Sequence, residues 1–382
     1  MSEHIYISKF LPDGTTILLT GGGRQFIEHI GEDAAREVVA GVLTGRNIRD
    51  QTEPLTRRRI SQVTGGLVAM FAHAKSQIPD LEAHLSELAL KQLESNSPLK
   101  RTAKWPAQWV IGLTEKGYQN VLRSSPPNRK AYIDSFEAAI TAAAQKCRDD
   151  LGDLRMTLGF VKGPDGRVVE LDWNGISRLT TAIGCATLTL RGSEKSMYGK
   201  LFERLVLGSI LSILGYKRVN PRGNTANSMV FWLGDASGNR ECDATVIHKP
   251  GKVARFDIGF IGSGNPEISK DKLSRYEGEI KRGTKDYSSK TFIIVDRLPA
   301  SAKTQKAAEK IGAIIVQMSM QYWPRALAKH LSEWFDSDYE LSHLDDAHIE
   351  KYLRARLNDV PITEFLINVD VDESNIEDFS ED

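Results

Sequence analysis

The chain has 382 residues, of which 41% are hydrophobic and 26% charged, with 50 bases against 50 acids. This is an ordinary globular composition, and the length favours two domains, with one large or three small ones also open. No apolar run reaches the roughly 20 residues that a bilayer crossing needs, and the three scattered cysteines (Cys147, Cys185, Cys242) form no CxxC pair, which excludes a zinc ribbon or a disulfide framework.

In chain order, MSEHIYISKFLPDGTT has no basic stretch followed by a long apolar one, so a cytoplasmic location is expected. Residues 4–20 read as a β-hairpin turned at Pro12-Asp13-Gly14. Helical periodicity follows over 33–43, 55–76 and 79–96, then a connector from Ser97 to Pro106. An alanine-rich helix is expected over 128–150, and LRMTLGFVKGPDGRVVELDW reads as a second hairpin. After a boundary near 180–191, a helix over 194–214 is expected, capped by Ser193 and closed by Gly215. SMVFWLG, RECDATVIH and VARFDIGFIG are three strands of a meander. A helix over 267–281, the buried strand TFIIVD, a helix over 303–311, the buried strand GAIIVQMS and the amphipathic helix QYWPRALAKHLSEWF complete the order. The fold class expected is α/β (α+β): a mixed β-sheet flanked by helices, with a helix-rich N-terminal region. Three regions are expected: 1–190, 191–340, and 341–382 with a final helix and an acidic tail. The tail after Asn368 holds seven acids and no base, so the remainder carries 50 bases against 43 acids; the tail reads as a solvated terminus.

The stretch ECDATVIHKPGKVARFDIGFI places Asp243 and Asp257 in the two arms of one hairpin. A buried carboxylate without a partner is costly, so the arms need a wet face or the acids a shared partner. With a three-residue loop Lys249-Pro250-Gly251, Gly251 supplies the left-handed conformation and Asp243 falls opposite Asp257. A two-residue loop would instead set Asp257 opposite Ala244. Carboxylates directly opposite repel unless a cation lies between them, and their oxygens suit magnesium. The bland alternative is a solvent-facing Asp243 with Asp257 paired to Arg255 or Arg240.

The order of elements from about Glu194 to Trp334 resembles the PD-(D/E)XK nuclease core of type II restriction endonucleases. Asp243 in ECDATV matches the first family acid, with Cys242 where proline is common, and Asp257 in FDIG matches the second. The family lysine belongs two residues later, where this chain has Gly259. The resemblance implies a PD-(D/E)XK core at 191–340, with Asp243, Asp257 and Glu203 around Mg2+. Lys272 is preferred over Lys270 as the substitute lysine, because it adjoins Leu273 and stacks at i,i+4 with Tyr276. Arg275, Lys281 and Arg282, and separately Arg57, Arg58 and Arg59 in TRRRISQVTGG, are candidate phosphate contacts on DNA. Each also fits an ordinary solvated face.

The activity implied is Mg2+-dependent, site-specific hydrolysis of double-stranded DNA by a homodimer in a prokaryotic cytoplasm, with a DNA methyltransferase as genetic partner. The N-terminal region would serve DNA recognition, dimerisation or both. The alternatives are another nuclease of this fold, acting on structured or damaged DNA, or a DNA-binding protein with a degenerate core. Glu170 and Asp172 alternate on one strand face as a rival metal pair. No GxxxxGK[ST] is present, and the histidines form no HxH or HxxxH set.

Overall fold

A computed structural model describes residues 6–20, 23–78, 80–94, 99–122, 126–160, 168–220, 228–234, 242–260, 288–296 and 313–366. The chain divides into two compact units, one of Met1–Gly21 with Thr56–Lys195 and one of Gly22–Leu55 with Ser196–Asp382. Gly22–Leu55 thus belongs with the second unit, which a single N-terminal region over 1–190 did not anticipate. Among the described residues, no helix is long and apolar enough to cross a membrane.

The first unit is mostly helical. Its opening segment is not a hairpin: Ile7–Phe10 is a 3-10 turn and Asp13–Thr20 an α-helix. Pro12-Asp13 works as a helix start, since Thr15 and Thr16 donate their N–H groups to the Pro12 carbonyl and Asp13 sits at the positive helix end. The expected connector is likewise helical over Arg101–Val110. Pro106 removes one internal hydrogen bond there, and burial of Trp105, Trp109 and Val110 offsets that loss. The second hairpin is present as β1 (Met156–Phe160) and β2 (Val168–Leu171), paired antiparallel.

One helix runs without interruption over Trp173–Ile213. Ser193 is therefore no cap: its hydroxyl donates back to the Leu190 carbonyl at 2.9 Å. Gly215, with φ of 90°, closes the helix as expected.

The second unit holds a six-stranded mixed sheet of β3 (Lys217–Arg218), β4 (Val230–Leu233), β5 (Ala244–Lys249), β6 (Lys252–Gly259), β7 (Ser288–Val295) and β8 (Ile314–Gln317), in that spatial order. The pairs β4–β5 and β5–β6 are antiparallel, and β6–β7 and β7–β8 parallel. Phe292, Ile293, Ile294 and Val295 of β7 are all buried, as a central strand covered on both faces requires. Helices flank the sheet. In the helix Trp323–Phe335, Trp334 donates its Nε1–H to the Val253 carbonyl of β6 at 3.1 Å and lies under the Lys252 ammonium. Trp323 donates to the Val42 carbonyl at 2.8 Å, tying Glu32–Leu43 into the same core. The helices expected over 267–281 and 303–311, and the acidic tail, lie outside the described residues.

Candidate active site

The hairpin of β5 and β6 turns differently from expectation yet reaches the expected register. Lys249 pairs with Lys252, so the loop is the two residues Pro250 and Gly251. Proline followed by glycine at φ of 80° fits a type II turn. Continued regularly, this loop would set Ala244 against Asp257. Instead the ladder slips between Ile247 and Lys249, leaving His248 as a bulge, and from there Ile247 faces Val253, Thr245 faces Arg255 and Ala244 faces Phe256. Continuing that register brings Asp243 opposite Asp257.

Alternation then sorts the two faces. Ala244, Val246, Ala254, Phe256 and Ile258 are fully buried, whereas Asp243, Thr245, Arg255 and Asp257 share a half-buried face. The sheet thus has a core face and a wetter face, and both acids are on the latter. The Asp243 carboxylate reaches across the strand pair, and its Oδ2 accepts the Ile258 backbone N–H at 2.8 Å. It therefore rests against the peptide that joins Asp257 to Ile258. The Asp243 N–H donates to the Phe256 carbonyl at 2.9 Å, and its own carbonyl accepts the Gly234 N–H at 2.7 Å.

Gly259 is buried and lies on the Asp257 side of β6 by the two-residue period, so no lysine extends from that position. Glu203 is half-buried in the helix Trp173–Ile213 and takes part in an interaction of its own. Lys270, Lys272, Arg275, Lys281 and Arg282 lie outside the described residues. Arg57 and Arg58 are exposed on the helix Ile48–Gln77. Arg59 is only 1% exposed, and its Nε and Nη2 donate to the Leu18 carbonyl at 3.1 and 2.8 Å. Its guanidinium serves packing of the first unit and is not presented to a phosphate. In the rival pair, Asp172 accepts the Gly175 N–H at 3.0 Å as a helix cap, and Glu170 pairs with Arg155 at 3.6 Å. Among the described residues, no group of three or more His, Cys, Asp or Glu side chains is placed to hold a metal.

The sequence reading missed the bulge residue. His248 hydrogen-bonds with the Tyr216 hydroxyl at 3.0 Å and the Ser337 hydroxyl at 2.8 Å, and its ring stacks on Phe335 with centroids 4.5 Å apart. Tyr339 closes the network onto Tyr216. Burial, reinforced by the neighbouring Lys249 charge, holds the His248 pKa below its ordinary value. The folded chain thus favours neutral imidazole, while the unfolded chain takes up its proton near about pH 6.5. The stability from this group is present above that value and is lost as pH falls through the folded-state pKa. Melting temperatures followed from about pH 8 to about pH 5 should fall more steeply for the parent than for His248→Gln. Parallel profiles would remove His248 from the acid sensitivity.

Asp243, just before β5, and Asp257, near the end of β6, thus share one half-buried sheet face. The family model described as CfrBI restriction endonuclease matches residues 32–303, and the chain belongs to that family. A curated relative, the type II restriction enzyme CfrBI of Citrobacter freundii, is 30% identical over 351 residues, covering 89% of this chain and 93% of the relative. Both comparisons place the chain among the type II restriction endonucleases. No solved structure matches.

Proposed function

We propose that this chain is a Mg2+-dependent endonuclease that hydrolyses double-stranded DNA at specific sequences, using a PD-(D/E)XK-like centre built on the β5–β6 hairpin. The observation that carries this reading is the Asp243 carboxylate seated on the Asp257–Ile258 peptide, on the half-buried face that both acids share. Magnesium is commonly held by one or two carboxylates, with water and substrate phosphate completing its shell, so two hard oxygen donors suit it and a larger protein cage is not required. When bound, the ion would acidify a water and neutralise charge growing on the scissile phosphate.

The chain's own groups supply the rest. Asp243 and Asp257 hold the ion, and Glu203 is the third acid of the set. Lys272, or Lys270, takes the place of the lysine missing at Gly259 and orients the attacking water. Arg275, Lys281, Arg282, Arg57 and Arg58 are proposed to contact DNA phosphates, a sequence-independent grip that fixes register on the duplex. A homodimer would match the two-fold symmetry of a palindromic site, and a methyltransferase of the same specificity would protect the host's own DNA.

Incubating the purified chain with sequenced plasmid and Mg2+ should give discrete fragments with ends at one recurring sequence. Chelation should stop the reaction. A smear without preferred ends would favour a nuclease of other specificity, and intact plasmid across Mg2+ and Mn2+ would leave only a DNA-binding role.

A further inference from the structure

Asp243 stands just beyond the last regular pair of β4 and β5, Leu233 with Ala244. Strand ends open at little free-energy cost, so a carboxylate placed there needs an additional restraint to keep a fixed position. Three residues supply one. Gly234, directly after β4, donates its N–H to the Asp243 carbonyl at 2.7 Å. The Gly234 carbonyl accepts from Arg204 Nη1 at 2.8 Å. Arg204 Nε donates to the Phe365 carbonyl at 3.2 Å. The Phe365 ring in turn packs over Gly208, where any side chain would overlap it, and against Phe231 of β4 with centroids 6.2 Å apart.

The identity of residue 234 fits this role. A Cβ on Gly234 would collide with the Cys242 carbonyl oxygen, which is backbone and cannot swing aside. The close approach of β4 to the residue before Asp243 therefore requires glycine. Arg204 is suited to its place for a different reason. Its planar fork can bond two carbonyls at once, and it sits more than two turns inside the end of a long helix, which is a rigid support.

We propose that Arg204 is a positioning residue for the metal-binding carboxylate. It fixes the Gly234 peptide, Gly234 fixes the Asp243 backbone, and the Asp243 side chain is thereby kept on the Asp257–Ile258 peptide. This inference rests on the proposed reading of the site. It assigns to Arg204 a role that acts through a chain of backbone hydrogen bonds.

The test compares Arg204→Ala, Arg204→Lys, Arg218→Ala and Asp243→Ala in the full chain. Cleavage of plasmid DNA is measured as a function of Mg2+ concentration and of DNA concentration, with thermal unfolding alongside. Arg218 donates to the Glu364 carbonyl of the same C-terminal segment but makes no bond to Gly234, so it controls for a merely structural anchor. Arg204→Ala should raise the half-saturating Mg2+ concentration and lower kcat by about 10–100-fold, with KM for DNA little changed. Arg204→Lys should recover part of the loss, since an ammonium still reaches one carbonyl; if the alanine variant does not fold, this variant carries the comparison. Arg218→Ala should leave the Mg2+ curve in place. A parental Mg2+ curve for both Arg204 variants, with Asp243→Ala inactive, overturns the clamp alone. Equal shifts from Arg204→Ala and Arg218→Ala also overturn it. Normal cutting by Asp243→Ala overturns the site itself.

Discussion

Alanine at Asp243 or at Asp257 should lower the DNA cleavage rate by at least about a thousandfold, or about 4 kcal/mol of transition-state stabilisation. The magnitude follows from the chemistry. Two carboxylates on one sheet face tolerate each other when a cation lies between them, and in the proposed site Asp243 and Asp257 would hold an ion that activates water and compensates charge on the phosphate. With either acid removed, the proposed site would lose one of the two carboxylates that hold Mg2+ in place. Binding of DNA should survive, because phosphate contacts by arginine and lysine are independent of the acids. The asparagine variants should be as inactive as the alanine ones while keeping side-chain shape, which separates charge from packing. Gel-shift assays in Ca2+, beside cleavage assays in Mg2+, read the two effects apart. Normal cutting by either variant would sink the proposed site.

The second large effect is on stability. Trp323 is 1% exposed and bonds the Val42 carbonyl, so Trp323→Ala should cost about 3–5 kcal/mol from the cavity and the lost contact area. Trp323→Phe keeps most of the volume and loses one hydrogen bond, but the Val42 carbonyl still accepts the Gly45 N–H at 3.0 Å, so the cost should be about 0.5–1.5 kcal/mol. Urea unfolding measures both, with an unchanged m-value marking a true stability change. If the two units melt separately, the shift should be confined to the transition of the unit that contains the sheet. A loss under about 1 kcal/mol for Trp323→Ala would show that Glu32–Leu43 is not part of that cooperative core. Cleavage should fall with it under marginal conditions, because the helix that starts at Trp323 also braces β6 through Trp334.

Sequence pattern was most informative where local chemistry and tertiary role coincide. The strands β4 to β8 were visible as alternating or continuous apolar runs, because their burial follows the two-residue period directly. Gly215 and Gly251 were readable as left-handed positions for the same reason: only the backbone decides there. The first segment was misread since Pro-Asp-Gly suits both a hairpin turn and a helix start, and the choice depends on distant partners. Ile7, for example, donates its N–H to the Gln92 side chain rather than to a second strand. Ser193 was misread as a cap because a cap residue is informative only where the helix stops, and here it continues.

By itself, the sequence determined that the chain has two acids on one hairpin, a mixed sheet in its second half, and glycine two residues after Asp257. These depend on residue type and short-range periodicity, which are fixed by the covalent order. Tertiary structure alone decided the bulge at His248 that restores the register of Asp243 with Asp257, the burial of Arg59, and the union of Gly22–Leu55 with the sheet unit. Each of these is a competition between contacts far apart in the chain. A bulge forms when the tyrosine, serine and phenylalanine partners of His248 offset one disrupted ladder position, and no local pattern encodes that balance.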